Sequence, residues 1–240
     1  MRTFCRLALA TILALAVPAL ADEALIRKVL EPKLGGAKIE GIDRGPLGLW
    51  EVRFRDGDGI RILYTDDKAS HIIVGKIYET KTDKDLTEAR MRKLNAINFG
   101  ALPLDQAVKV QRGNGKRVLV MFSDPYCPYC RQFENTLQQI DNITVYVFMF
   151  PVIKPDLADH SRAVWCSPDR AKAWLDLALR HQPPAAKASC ADPVEKNLEL
   201  GHKLGVASTP TLYLANGERI AGALQAADLR AMLDQVASSK

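Results

Sequence analysis

The chain has 240 residues, 48% hydrophobic and 25% charged, with a formal net charge of +5. This fits one or two domains with enough apolar material for a core, and 5 cysteines are too few for a disulfide-scaffold miniprotein. The 15 glycines and 13 prolines exclude a collagen-like chain, and no apolar run beyond the amino terminus reaches the roughly 18 residues that span a bilayer.

Residues 1–21 read as a secretory signal peptide. Arg2 and Arg6 supply the positive start, Leu7 to Leu20 is almost unbroken apolar sequence, and Ala19-Leu20-Ala21 is a small-x-small site ahead of Asp22-Glu23. An uncleaved anchor is the alternative, but the run is short and the small residues are well placed for cleavage after Ala21. Cys5 precedes the apolar run, so a lipoprotein signal is not indicated. The mature chain keeps 31 Lys+Arg against 28 Asp+Glu, a net of +3. That is too mild for the basic patch expected of a nucleic-acid partner. Cys127, Cys130, Cys166 and Cys190 remain; an even number in an exported chain suggests pairing, with three connectivities open.

Residues 22–80 predict a small α+β domain. Asp22 to Leu34 has Leu25, Ile26, Val29 and Leu30 at helical spacing, ended by Pro32 and Gly35-Gly36. Strand-like runs follow at Leu49–Arg55, Ile60–Tyr64 and Ile72–Tyr78. Asp56-Gly57-Asp58-Gly59 marks a turn between the first two, and Asp66-Asp67-Lys68 separates the second from the third. About 60 residues are marginal alone, so this unit calls for a partner surface, most simply a second copy. Residues 81–99 predict a connecting helix, with Asp85 and Glu88 in a capping arrangement and a thin stripe of Leu86, Leu94 and Ile97. An ordinary surface helix is the alternative.

Residues 100–240 alternate types. Arg117–Phe122 and Ile143–Phe150 are apolar strands flanking a helix at Cys127–Ile140. Residues 156–205 are mostly helical, broken at Pro183-Pro184. Thr211–Leu214 and Arg219–Ala221 are strands around the turn Asn216-Gly217, and Gln225–Val236 is a closing helix with Leu229, Met232, Leu233 and Val236 on one face.

The chemistry centres on Cys127-Pro128-Tyr129-Cys130, which follows an apolar strand and opens a helix. A thiol at a helix N-terminus faces unpaired N–H groups and the positive end of the dipole, which favours the thiolate. Cys127 would attack a substrate disulfide, and Cys130, one turn along, would resolve the mixed disulfide. Half of a zinc site and an inert structural disulfide are the competing readings; the spacing of Cys166 and Cys190 matches no usual zinc knuckle. Those two cysteines flank the helical insertion, 24 positions apart. A structural bridge there would contribute about 3 kcal/mol; a second redox couple is the alternative. Thr209-Pro210 precedes a strand; such a proline is commonly trans and merely a boundary, but the pattern resembles the thioredoxin fold, where it is cis beside the reactive thiol. Thr209 would then offer its backbone to an extended substrate. His71, His160, His181 and His202 are scattered and read as surface residues, while Trp165, Trp174 and Tyr146 read as core. Tyr129 and Tyr126 are candidates for client contact or for packing.

The sequence resembles the DsbC/DsbG family of bacterial periplasmic disulfide isomerases. The matching segments are YTDDKASHIIVGKIYE (64–79), KLNAI (93–97), FSDPYCPYC (122–130), AVWCSPDRAKAW (163–174), ASC (188–190) and LGVASTPTLYLANG (204–217). The resemblance implies a cystatin-like dimerisation domain over 22–80, a linker helix over 81–99 and a thioredoxin-fold catalytic domain with a helical insertion over 100–240. It implies a homodimer with an open cleft, and places Cys127 as nucleophile and Cys130 as resolving cysteine. It also places Thr209, Pro210, Pro128 and Tyr129 at the substrate, makes Cys166 and Cys190 a structural disulfide, and puts Gly75 on the dimerising edge. Misoxidised secreted proteins would be the clients and a DsbD-like inner-membrane protein the electron donor, with no metal or cofactor. Chaperone activity would accompany isomerisation. A DsbG-like reductase of sulfenic acids or of a dedicated client, and a redox-independent holdase, are the alternatives. Two departures stand out: Pro128-Tyr129 replaces the family's common Gly-Tyr, and Met121 sits where thioredoxins carry a buried acid. The acceptor of the Cys130 proton is therefore open, with Asp124 a candidate.

Overall fold

The computed structural model describes residues 19–57, 59–185 and 189–238. Most of the signal segment, and with it the start of the export reading, lies outside the described residues. The chain divides into two compact units. One holds the described residues up to Arg55 with Ile62–Gly75; the other holds Asp56–Arg61 and everything from Lys76.

Helix α1 (Ala19–Leu30) is followed by strands β1 (Ile39–Arg44), β2 (Trp50–Asp56), β3 (Gly59–Thr65) and β4 (Ile72–Ile73), in sheet order β1-β2-β3-β4; all but Asp56 and Gly59–Arg61 of these elements lie in the first unit. Ile26 and Leu30 of α1 are one turn apart and bury against Ile39, Ile42, Trp50, Val52 and Leu63. Strand β1 has no counterpart in the sequence reading: Gly41 and the charged residues of IEGIDR dilute its alternation, and its register slips between Ile39 and Gly41. The turn before β4 is set by Asp66, whose carboxylate accepts from the N–H groups of Lys68, Ser70 and His71. These bonds and the His71 ring hold the Asp66 carboxyl down at about 2.

The third predicted strand, Ile72–Tyr78, is broken. Only Ile72 and Ile73 pair, with Thr65 and Tyr64. Tyr78–Glu79 forms a separate ribbon, β5, with β6 (Lys84–Asp85). Helix α2 (Leu86–Leu94) is half the predicted 81–99 span. Asp85 caps it by accepting from the Glu88 N–H at 2.8 Å, as the sequence indicates. At the other end Asn95 leaves the helix, and its side chain bonds both backbone groups of Ile60.

The second unit is built on strands β7 (Val108–Arg112), β8 (Arg117–Ser123), β9 (Ile143–Met149), β10 (Thr211–Leu214) and β11 (Arg219–Ala221), in order β11-β10-β8-β9-β7. Only β8 and β9 are parallel; they are joined through α3 (Pro128–Leu137). The insertion holds α4 (Ala158–Cys166), α5 (Arg170–Arg180) and α6 (Val194–Lys203), and α7 (Ala226–Ser238) closes the chain. Alternate residues of the central strands feed two cores. Leu119, Met121, Val145 and Val147 pack with Phe133, Leu137, Trp174 and Leu233. Val120, Phe122, Phe148 and Tyr213 pack with Leu102, Phe150 and Val206 on the other face. At the β10–β11 turn Gly217 has φ +86°, and a Cβ there would run into the Ile97 carbonyl, so glycine is required twice over.

Candidate active site

Strand β8 ends at Ser123, and four residues later the chain enters α3 with Cys127 as its N-cap and Pro128 at the first turn. Proline suits that position because its missing N–H would have no helical partner. The short connection is held by Asp124. Its buried carboxylate accepts from the N–H groups of Tyr126, Val152 and Ile153, each at 2.7 Å. One side chain thus ties the loop before Cys127 to the loop after β9. With three donors engaged, Asp124 acts as an anchor.

Cys127 and Cys130 are both free thiols, 3% and 2% exposed. The Cys127 thiol donates to the Thr209 carbonyl at 3.3 Å, and the Thr209-Pro210 bond is cis. The dithiol and the Thr-Pro loop, 82 residues apart in sequence, therefore meet. Burial pushes the Cys130 thiol up to about 12; the Ser123 hydroxyl, the Asp124 backbone and Thr209 pull it down, while charge on Cys127 adds to the rise. Tyr129 stands 66% exposed beside the thiols. An open groove of about 450 Å³ runs past it, bounded by Gln132, Thr136, Ser208, Thr209 and Leu224, with no charged side chain in its lining.

Tyr126 is packed rather than presented: its hydroxyl hydrogen-bonds His160 Nδ1. The other histidines sit apart: His71 against Asp66, His181 against Arg131, and His202 edge-on to Phe150. Cys166 and Cys190 are bonded to each other, with S–S 2.05 Å. They cannot complete a zinc site with the first pair.

Sequence reasoning passed over Glu134. It lies four residues after Cys130, 2% exposed, and accepts from the Trp174 indole N–H at 2.6 Å. Burial raises its carboxyl to about 7, against the pull of Trp174 and the Arg112 guanidinium. An acid among the inward positions 130, 133, 134 and 137 of α3 was the available signal.

A thioredoxin-like domain model matches residues 104–237. A fold of that kind carrying this buried dithiol defines a thiol:disulfide oxidoreductase. A second model, the disulfide bond isomerase protein N-terminal domain, matches residues 17–88. A probable thiol:disulfide interchange protein DsbC from Bordetella parapertussis is 39% identical over 208 residues, covering 87% of this chain and 73% of the relative. The thiol:disulfide interchange protein DsbC of Escherichia coli K12 is 28% identical over 220 residues, 90% of this chain and 89% of the relative. A crystal structure of a disulfide interchange protein from Neisseria gonorrhoeae superimposes with TM-score 0.54 at 37% identity, covering 57% of this chain and 99% of that one. The chain belongs to the DsbC family of disulfide bond isomerases.

Proposed function

We propose that the protein rearranges incorrect disulfides in exported proteins through Cys127 and Cys130. The observation that carries this reading is the placement of the Cys127 thiol at the head of α3, against the Thr209 carbonyl and beside an uncharged groove. Thiolate at Cys127 attacks one sulfur of a client disulfide. A Cys127–client bond forms, the client bond breaks, and the other client sulfur leaves as a thiolate. If that freed thiolate attacks another client disulfide, a new client bond forms and a different client sulfur is freed; when that thiolate attacks the mixed disulfide, a second client bond forms, Cys127 leaves as the thiolate, and the client is isomerised with the protein reduced. If Cys130 attacks first, the client is reduced and Cys127–Cys130 becomes a disulfide that a reductant, in this reading a DsbD-like membrane donor, must reopen. The groove beside Tyr129 and Thr209 suits an extended client segment of little charge, held by backbone groups near Pro210.

The secretory signal read at residues 1–21 supports a periplasmic location, and a Cys166–Cys190 bridge is what an oxidising compartment sustains. A homodimer is supported by the sheet edge of the first unit. There β4 is the edge strand among the described residues, and Ile72, Ile73 and Val74 are 43%, 48% and 83% exposed, followed by Gly75 with open space about its Cα. An apolar open edge of this kind is a pairing surface.

The deciding experiment is recovery of activity from a scrambled multi-disulfide protein, with catalytic amounts of the reduced mature chain and a Cys127→Ser control. Recovery that depends on Cys127 is expected. No recovery from a chain whose thiol remains reactive would replace isomerisation with reduction of a dedicated client or of sulfenic acids.

A further inference from the structure

Resolution of the mixed disulfide requires Cys130 to lose its proton, and burial makes that thiol a weak acid. The described groups that act on it are the Ser123 hydroxyl, the Asp124 backbone, Thr209 and Cys127. The Asp124 carboxylate is occupied by three N–H donors.

Helix α3 runs back along β8. By Asn142 the chain has returned to the start of that strand, where the Asn142 carbonyl accepts from the Arg117 N–H at 2.9 Å. Ser123 lies at the level of Cys130, so Met121, two residues back and on the same face of β8, lies about 7 Å deeper. Four residues along α3 advance about 6 Å. Glu134 therefore reaches the level of Met121 from the helix side. It shares the inward face with Cys130, Phe133 and Leu137, and helical side chains lean toward the N-terminus, here toward Cys130.

We propose that Glu134 accepts the Cys130 proton during resolution, an inference that rests on the dithiol reading above. The carboxylate takes the proton from the Cys130 thiol. The resulting thiolate attacks Cys127 Sγ, the Cys127–Cys130 bond forms as the Cys127–client bond breaks, and the client sulfur departs as a thiolate. Glu134 then returns the proton to solvent or to Cys130 when the pair is reduced again. The groups that tune it are few. Arg112 on β7 is the nearby charge, and it donates to the Leu137 and Ile140 carbonyls at the end of α3. From α5 the Trp174 indole bonds it, while Asp176 is held by Lys172 and Arg180 and His181 by Arg131. The facing residues of β8, Leu119, Met121 and Ser123, do not titrate. A carboxyl raised to about 7 is a base poised at neutral pH.

The test uses the mature chain, reduced, and a peptide disulfide with a different fluorophore on each half. Attack by Cys127 releases one half and resolution by Cys130 the other, so stopped flow reads both steps between pH 5.5 and 9. In the wild type the second release should rise through about pH 7. In Glu134→Gln it should lose that inflection and slow roughly a hundredfold at pH 7.5, with the first release unchanged. In Trp174→Phe the inflection should persist but move to higher pH, because a bond to the carboxylate is gone. An unchanged pH profile in Glu134→Gln, or an equal slowing of both releases, would overturn the proposal. Absence of Cys127-dependent first release from the wild type would instead overturn the dithiol reading, and this inference with it.

Discussion

The Thr209 carbonyl oxygen lies 3.3 Å from Cys127 Sγ and accepts a hydrogen bond from the thiol. This contact joins the head of α3 to the residue before β10, and a hydroxyl can make it as well as a thiol. Cys127→Ser should therefore keep the fold within about 1 kcal/mol of wild type by urea titration while abolishing exchange. Cys127→Ala, which leaves the carbonyl without a donor, should be the less stable of the two. Cys130→Ala should accumulate a mixed disulfide with a client, visible as a reducible band on gels. Release at the wild-type rate would show that Cys130 does not resolve it.

Asp124 carries more of the site's geometry than its neighbours. Asp124→Ala removes the acceptor for the N–H groups of Tyr126, Val152 and Ile153 at once. Bonds to a charged group are the strong ones, and buried donors left unpaired add their own cost. A loss of about 3–5 kcal/mol in unfolding free energy is expected by urea titration. Exchange should also slow at temperatures where the variant is fully folded, because Cys127 follows directly from the loop that Asp124 holds. A melt unchanged within 1 kcal/mol would mean that the loops are fastened elsewhere.

What the sequence made legible follows from how local each signal is. The dithiol needs only a strand, a tight loop and a helix start in succession, and all three are marked in FSDPYCPYC. The cap at Asp85 is equally local. Strand β7 went unread because VKVQR offers just two apolar residues, and its place is fixed by pairing with β9. The Ile72–Tyr78 run looks continuous because its residues favour strands; in the fold Ile72 and Ile73 pair with the last two residues of β3, while Tyr78 pairs with Asp85 of β6 instead. The connecting helix stops at Asn95 because that side chain bonds Ile60, 35 residues away, a contact no helical period encodes. Glu134 is legible as an anomaly, an acid on the apolar face of α3, but its meaning depends on Trp174 and the depth of Met121.

The Cys166–Cys190 bridge should separate stability from chemistry. It closes a loop with a sequence separation of 24. The double change to Ser should cost about 3 kcal/mol through the entropy regained by the unfolded chain. The folded variant should still exchange disulfides at Cys127. Loss of exchange without loss of stability would instead favour a second redox couple.

Gly201 on α6 packs directly against the Phe150 ring, so that an added Cβ would overlap it. The ring in turn meets Phe122 edge-on, which leaves it little room to give. Gly201→Ala gains helix propensity of about 1 kcal/mol but should be net destabilising by roughly 1–2 kcal/mol through overpacking. Pairing it with Phe150→Leu should recover part of the loss, and failure to do so would place the strain elsewhere.

Glu134 also leaves a thermodynamic signature independent of any client. Its carboxyl titrates at about 7 in the fold, against an ordinary value of 4.5. Between those values the folded chain keeps a proton that the unfolded chain has released. Stability therefore falls as pH rises through this window and levels off above it. A shift of this size corresponds to about 3 kcal/mol. Glu134→Gln cannot titrate, so the difference in unfolding free energy between variant and wild type should move in the variant's favour by roughly 2–3 kcal/mol from pH 5 to pH 8. Other titrating groups are common to both chains and cancel in that difference. Parallel stability curves would show that Glu134 carries an ordinary carboxylate, and would remove the base from the resolution step as well.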